Sequence, residues 1–278
     1  MMEQNKIHNI DALSGLRMLP DNSIDCIVTS PPYFQMRDYG ISDVEWGDGW
    51  SGQLGQEPTR DLFVAHLIEI FEECKRVLKP SGTLWVNLAD SYNNKSLCNI
   101  PNKFADEMIQ SGWILRNEII WHKPSCIPSS AKDRMTNNFE KLFFFSKSTK
   151  YHFNQQFEPY APSTIKRYEY PVSKIGKNLV YQEISGAPSG EMSINPNGRN
   201  MRCVWTIPFE NCKEGHFAMF PTKLIETPIL AGSPENGIVL DPFMGGGTTA
   251  IAAKRLGRSY IGFELNPEYI EIALRRVG

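Results

Sequence analysis

The chain has 278 residues, 41% of them hydrophobic and 22% charged, a globular composition that suits one large domain carrying an insertion or two modest domains. No apolar run approaches the roughly 18 residues a membrane span requires, and no signal-peptide pattern opens the sequence. A net charge of −2 argues against a simple polycation that coats nucleic acid. The charge is uneven, however. Between Arg116 and Lys213 there are 14 basic residues against 8 acidic ones, so that stretch carries +6 and the remainder −8. This pattern fits a catalytic body with an inserted polyanion-binding module, and equally a solvated surface.

In chain order, Ile24 to Ser30 (IDCIVTS) reads as a buried strand stopped by Pro31-Pro32. Phe63, Leu67, Ile70, Phe71, Cys74 and Leu78 recur at helical spacing and predict a helix over 61–78. A Pro80-Ser81-Gly82 turn separates it from a strand at Thr83 to Leu88. Phe104, Met108 and Ile109 suggest a further helix, and Trp113 to Trp121 and Lys141 to Phe145 read as strands. From Tyr151 to Asn200 the chain is rich in Pro, Ser, Asn, Tyr and Lys with little periodicity, an insertion or long loop with one or two short strands at most. Lys223 to Leu230 reads as a helix, Gly237 to Leu240 as a strand, Thr248 to Leu256 as a helix and Tyr260 to Phe263 as a strand. The alternation predicts an α/β domain with a mostly parallel sheet. The six cysteines (Cys26, Cys74, Cys98, Cys126, Cys203, Cys212) are widely scattered. They form neither a metal-ligand spacing nor a disulfide framework and suit a reducing cytosol.

Two loops carry chemistry. In Asp241-Pro-Phe-Met-Gly-Gly-Gly-Thr-Thr, between a strand and a helix, the glycines let backbone approach a ligand, with Thr248 or Thr249 placed to cap the helix. The helix N-terminus suits a carboxylate or phosphate. Glu264, ending the next strand, is placed to accept hydrogen bonds from a ribose diol, with Asn266 beside it. A tight turn with a surface glutamate is the plain alternative. The second loop, Thr29-Ser30-Pro31-Pro32-Tyr33, sits at a strand's carboxyl end, where ligands bind in open α/β sheets. The prolines stiffen it and leave the Pro31 carbonyl free, Ser30 adds a hydroxyl and Tyr33 a flat ring. Together they suit a planar group bearing an amine; a proline turn with a packed tyrosine is the alternative.

These two strings resemble motifs IV and I of amino-directed DNA methyltransferases, and their order, catalytic loop first, resembles the circularly permuted β class. The match extends to Asn9-Ile-Asp-Ala-Leu with LPDNSIDCIVTSPPY, to Arg76-Val-Leu-Lys-Pro-Ser-Gly-Thr-Leu-Trp-Val, and to His216-Phe-Ala-Met-Phe-Pro-Thr-Lys-Leu, which is similar to motif X. The resemblance implies a Rossmann-like fold that uses S-adenosyl-L-methionine, with helices on both faces of a mostly parallel sheet. Residues 1–150 would form the catalytic part, 151–200 a target-recognition insertion and 201–278 the cofactor-binding part. Phe243, Gly245, Gly247 and Thr248, with Asp241 supporting the turn, would line the methionine end of the cofactor. Glu264 and Asn266 would serve the ribose, Asp11 and Ala12 would lie near the adenine, and Phe220 and Pro221 would close the pocket.

Ser30, Pro31, Pro32 and Tyr33 would then hold a base flipped out of duplex DNA. Hydrogen bonds from the amine to Ser30 Oγ and the Pro31 carbonyl localise a lone pair otherwise delocalised into the ring, so catalysis is mostly positioning and electrostatics. A serine at the first loop position goes in the family mainly with cytosine N4, and Asp or Asn with adenine N6. Methylation at cytosine carbon 5 needs a thiolate nucleophile, and no Pro-Cys loop occurs. Asp90 either accepts a proton in the cleft or caps a turn; Arg37 and Asp38 either contact DNA or pair with each other. Lys123, Arg134, Lys166, Arg167, Lys174, Lys177, Arg199 and Arg202 are candidate DNA contacts. The expected partners are double-stranded DNA and, functionally, a cognate restriction endonuclease, with the chain a monomer or homodimer in a prokaryotic or phage-encoded cytoplasmic setting. The rivals are the adenine enzyme, a catalytically silent DNA-binding protein of the same fold, and a small-molecule methyltransferase.

Overall fold

The computed structural model describes residues 2–126, 128–169, 195–210 and 219–278. The chain divides into two compact units, Met1–Asn154 with Cys203–Gly278, and Gln155–Arg202. The first begins with β1 (Lys6–Asn9), α1 (Ala12–Arg17), β2 (Ile24–Thr29), a hairpin of β3 (Val44–Glu45) and β4 (Ser51–Gly52), α2 (Arg60–Val77) and β5 (Leu78–Leu88). A second hairpin, β6 (Tyr92–Asn93) and β7 (Ser96–Leu97), precedes α3 (Ile100–Gln110), β8 (Ile114–His122) and β9 (Phe139–Ser146). The Gln155–Arg202 unit contains β10 (Phe157–Glu158), α4 (Pro162–Glu169) and β11 (Arg199–Asn200). The chain then completes the first unit through β12 (Val204–Thr206), α5 (Thr222–Gly232), β13 (Ile238–Asp241), α6 (Thr248–Arg255), β14 (Ser259–Glu264) and α7 (Pro267–Val277).

Eight strands form one sheet in the order β1-β14-β13-β2-β5-β9-β8-β12. All neighbours pair in parallel except β9, which runs against both β5 and β8. Every residue of β2 is buried, as expected for a central strand covered on both faces. The period-2 alternation of strands divides the core. Phe143 and Phe145 turn toward Phe104 of α3 (ring centroids 6.2 Å in each case), and Phe104 in turn meets Phe71 of α2 at 5.2 Å. Phe144, between them, points the other way and stacks on Trp85 at 4.0 Å with the rings 1° from coplanar. On that face Thr83 Oγ1 donates to the Gly232 carbonyl at the end of α5 (2.9 Å). Helices therefore cover both faces of a Rossmann-like sheet.

Two expectations need correction. The Pro80-Ser81-Gly82 turn does not separate helix from strand: α2 passes directly into β5 at Leu78, and the Pro-Ser-Gly segment lies within the strand. The register steps from Ile24↔Leu78 to Cys26↔Thr83, so these residues form a bulge, which accommodates a proline that has no N–H to give the ladder. The composition of 151–200 also concealed α4, a helix of mostly polar residues whose pattern is too short to read. Among the described residues no helix is long and apolar enough to cross a membrane.

Phe145 is fully buried against Phe104 and Trp113. Phe145→Ala is expected to destabilise the fold by about 3–5 kcal/mol in chemical denaturation; a loss below about 1 kcal/mol would contradict this packing.

Candidate active site

The adjacent parallel strands β2 and β13 mark a topological switch point: the chain continues from β13 to β14 on one side and from β2 to β5 on the other. In such sheets the crevice beyond the strands' carboxyl ends is the ligand site. The pair is in register only at Cys26↔Val239 and Ile27↔Leu240. Side chains extend the join beyond both ends of that short ladder. At the amino end Asp25 Oδ2 accepts the Ile238 N–H (2.9 Å). At the carboxyl end Thr29 Oγ1 donates to Asp241 Oδ1 (2.5 Å). The Ser-Pro-Pro-Tyr loop and the glycine turn therefore emerge side by side. Asp241 also accepts the Phe243 N–H (3.0 Å) on Oδ1 and the Thr249 hydroxyl (2.6 Å) on Oδ2. Burial pushes its carboxyl up to about 6, against the pull of these three donors.

The glycine turn uses left-handed backbone at Gly245 (φ +50°) and Gly247 (φ +81°), which side chains other than glycine's rarely adopt. Gly247 is the cap residue of α6 and no side chain caps the helix. The expected threonine cap is corrected: Thr248 and Thr249 already lie inside α6, and the Thr249 hydroxyl serves Asp241. Glu264 accepts the Gly245 N–H on one carboxylate oxygen and the Asn266 N–H on the other, both at 2.8 Å. Burial raises its carboxyl, and the backbone donors oppose that rise. Asn266 caps α7 through Glu268 N (2.9 Å), and Asp11 caps α1 through Ser14 N (2.9 Å). Pairing of Asn9 with Glu264 across β1 and β14 brings Asp11 and Ala12 to the same carboxyl edge as Glu264. Phe220 and Pro221 follow Met219, whose Sδ receives Arg276 Nη1 at 3.0 Å; the same nitrogen donates to the Gly246 carbonyl.

This half of the crevice fits a nucleoside with a charged tail. The place a Cβ would occupy on Gly245 meets nothing nearer than the Phe243 carbonyl at 3.9 Å. Glu264, already oriented by two N–H groups, keeps further lone pairs for a diol, and the start of α6 offers uncapped N–H groups.

The other half is a polar network around the catalytic-loop candidates. Pro31 is buried, and Ser30, Pro32 and Tyr33 are partly exposed. Ser30 Oγ donates to the Tyr33 hydroxyl oxygen (3.1 Å), and Tyr33 donates to Glu140 Oε2 (2.8 Å). Asn87 Nδ2 donates to the same oxygen (2.8 Å), and Lys123 pairs with Glu140 Oε1. Burial first, then the Glu140 charge, holds the Tyr33 phenol well above its ordinary range, so it stays protonated. From behind, Gly55 accepts the Gln35 N–H (2.7 Å) and donates its own to Glu57 Oε2 (2.8 Å). Glu57 in turn bonds His66 Nδ1 (2.9 Å), whose ring stacks on Trp46 at 3.9 Å. Sequence reading missed Asn87, Glu140, Glu57 and His66. The available signal was a carboxylate and an amide set within otherwise apolar strands.

Several candidate contacts take other places. Lys123 is corrected from a DNA contact: its side chain is 12% exposed, paired with Glu140 and lying 4.7 Å from the Trp121 ring centroid. Asp90 accepts from Ser91 N (2.9 Å) and from Ile100 N (3.1 Å) at the start of α3, the capping alternative. Asp38 bonds Gly40 N (2.8 Å), and no Arg37–Asp38 ion pair is among the described contacts; Arg37 is exposed. Arg134 lies over the Tyr92 ring at 3.5 Å. Within the second unit Lys166 is exposed, while Arg199 and Arg202 both pair with Glu158. Lys174, Lys177, His216 and the side chain of Arg167 lie outside the described residues.

The raised Asp241 carboxyl has a sign that can be measured. A folded-state value of about 6 against an ordinary 3.8 means its contribution to stability is fully present below the ordinary value. That contribution is lost as pH rises through about 6. The Tm advantage of the wild type over Asp241→Asn is therefore expected to narrow as pH climbs from about 4 to 6; a constant or widening advantage would contradict the assignment.

The DNA methylase family model matches residues 24–275. The type II methyltransferase M.Cfr9I of Citrobacter freundii is 36% identical over 296 aligned positions, covering 96% of this chain and 85% of its own length. M.SmaI of Serratia marcescens is 32% identical, with 96% and 88% covered. The protein TTHA0409 of Thermus thermophilus, solved in complex with S-adenosyl-L-methionine, superposes with a TM-score of 0.63 at 25% identity, covering 98% of this chain and 92% of that one. The PvuII DNA methyltransferase, cytosine-N4-specific, shares the fold at a TM-score of 0.65 and 21% identity, with 99% and 87% covered. With the glycine turn and the proline loop joined across one crevice, the chain belongs to the DNA methylase family, the S-adenosyl-L-methionine-dependent methyltransferases of the N6/N4 amino-directed class.

Proposed function

We propose that this methyltransferase modifies the exocyclic 4-amino group of cytosine within a short specific sequence of double-stranded DNA, as the modification partner of a type II restriction endonuclease. The observation that carries the reading is the Thr29–Asp241 bond, which sets the Ser30-Pro31-Pro32-Tyr33 loop beside the glycine turn. Ser30, where an Asp or Asn would go with adenine in the family, supports cytosine.

When bound, S-adenosyl-L-methionine supplies an electrophilic sulfonium methyl. Phe243, Gly245, Gly247 and Thr248 would hold its amino-acid end, Glu264 and Asn266 its ribose, and Asp11, Ala12, Phe220 and Pro221 the adenine and the pocket's margin. The target base, inaccessible inside a duplex, is extruded and lies against the Tyr33 ring, whose hydroxyl is anchored on Glu140. One amino N–H donates to Ser30 Oγ and the other to the Pro31 carbonyl, and the nitrogen releases its excess proton to solvent once it is methylated. Both acceptors draw the nitrogen lone pair out of the ring system and aim it at the methyl group. The stiff prolines keep the two acceptors at fixed spacing, so little is reorganised during transfer. The Gln155–Arg202 unit supplies target selection.

Nucleosides from DNA treated with the enzyme and a labelled methyl donor are expected to contain 4-methylcytosine by mass analysis. Finding 6-methyladenine would replace the base assignment, and no DNA methylation at all would leave a silent binding protein. Tyr33→Ala is expected to lower turnover about 10- to 100-fold, since base–aromatic stacking is worth ~1–3 kcal/mol, while leaving donor affinity intact. Equal loss of both would refute the stacking role. Glu264→Ala should do the reverse, weakening donor binding in calorimetry far more than it slows a saturated reaction.

A further inference from the structure

We infer that Glu140 is a positioning residue for methyl transfer: its carboxylate, balanced by Lys123, fixes the direction of a hydroxyl chain through Tyr33 to Ser30, so that Ser30 turns a lone pair toward the target amine. The inference rests on the reading of Ser30 as an acceptor from that amine.

Counting protons along the chain sets its polarity. An ionised carboxylate only accepts. Glu140 Oε2 takes the Tyr33 hydroxyl and Asn87 Nδ2, both at 2.8 Å, and Oε1 takes Lys123. Tyr33 has one proton, and it is committed to Glu140; its oxygen is therefore left to accept, which it does from Ser30 at 3.1 Å. Ser30 also has one proton, now committed to Tyr33. What Ser30 offers to the crevice is lone pairs. An exocyclic amine needs acceptors for its protons, and the chain supplies one with the right polarity. With a neutral group at position 140 the chain loses its fixed sense: Tyr33 is free to donate to Ser30, which would then meet the amine donor to donor.

The surroundings of Glu140 are arranged to feed an acceptor. Its side chain and that of Lys123 are only 11% and 12% exposed, and a buried ion pair is costly unless its geometry is used. Lys123 is held between the Trp121 and Phe209 rings, at 4.7 and 4.9 Å from their centroids. Asn87, 1% exposed, directs its amide nitrogen at Glu140, while its own oxygen has no partner among the described residues. Topology explains how a residue so far along the chain arrives here. Because β9 is antiparallel to β5 and β8, its first residues lie at the sheet edge where β2, β5 and β8 end, with Glu140 opposite Trp121 and Lys141 opposite Leu88.

Single-turnover transfer of tritiated methyl to duplex DNA tests this in Tyr33→Phe, Glu140→Gln, Glu140→Asp and the double variant that combines Tyr33→Phe with Glu140→Gln, with calorimetric Kd for the donor and for DNA. The expected result is a fall of about 10- to 100-fold in rate for Tyr33→Phe and for Glu140→Gln, the range of a lost hydrogen bond to a charged group. Both Kd values should hold, Glu140→Asp should recover part of the rate, and the double variant should be no slower than the worse single one. A near-normal rate in folded Glu140→Gln, losses that multiply, or losses seen in Kd instead of rate would overturn the proposal. If Glu140→Gln does not fold, Tyr33→Phe decides alone: it removes one oxygen and keeps the ring, so an unchanged rate also overturns it. A wild type that methylates no DNA amine refutes the underlying function instead.

Discussion

The Asp241 carboxylate is the constraint on which the crevice depends. Two parallel strands that share a ladder of two register pairs must carry, at their ends, loops of unrelated conformation. Backbone hydrogen bonding cannot hold those loops together, because the ladder has already ended. One buried carboxylate does so with three donors drawn from the end of β2, the glycine turn and the first turn of α6. The cost is visible in its acidity, since a carboxyl raised to about 6 is one whose charge the protein tolerates reluctantly. An amide in its place keeps one acceptor oxygen and turns an NH2 group toward one of the donors that Asp241 now satisfies.

Around that join, each half of the site is preorganised differently. Backbone dominates the glycine side: left-handed residues, an uncapped helix start, and a glutamate oriented by two main-chain N–H groups. Side chains dominate the proline side, because two of its loop residues have no N–H to offer. Ser30 and Tyr33 are held by Glu140 of β9, which lies beyond β5 in the sheet, and the following backbone is held through Gly55 by the buried Glu57–His66 pair. A loop without its own hydrogen-bonding capacity becomes rigid only by borrowing it.

This division explains what was legible in the sequence. The two loops are contiguous strings, so Ser30 to Tyr33, Asp241 to Thr248 and Glu264 could be picked out by eye, and the strands bearing them follow from apolar runs ended by proline or glycine. The central helix α2 and the strands β2, β8, β9, β13 and β14 lie where periodicity placed them, to within a few residues. The Glu140–Tyr33–Asn87–Lys123 cluster was not legible, because its members come from four separate segments and meet only through strand order. The reversal of β9 is equally invisible in FEKLFFFS, a string that fits either direction. Phe143, Phe144 and Phe145 read correctly as one buried strand, but only the pleat assigns them to opposite cores. Lys123 misled for a related reason: a lysine in a basic stretch resembles a phosphate contact until its partner is located.

The stretch from Gln155 to Arg202 departs from and rejoins the larger unit as one uninterrupted piece, and none of its described residues adds a strand to the eight-stranded sheet. Its own small pairing, β10 with β11, closes on itself. The ladders that set donor against acceptor thus draw no rung from the described residues of that stretch, and a substitution at β10 or β11 alters no register on which that alignment rests.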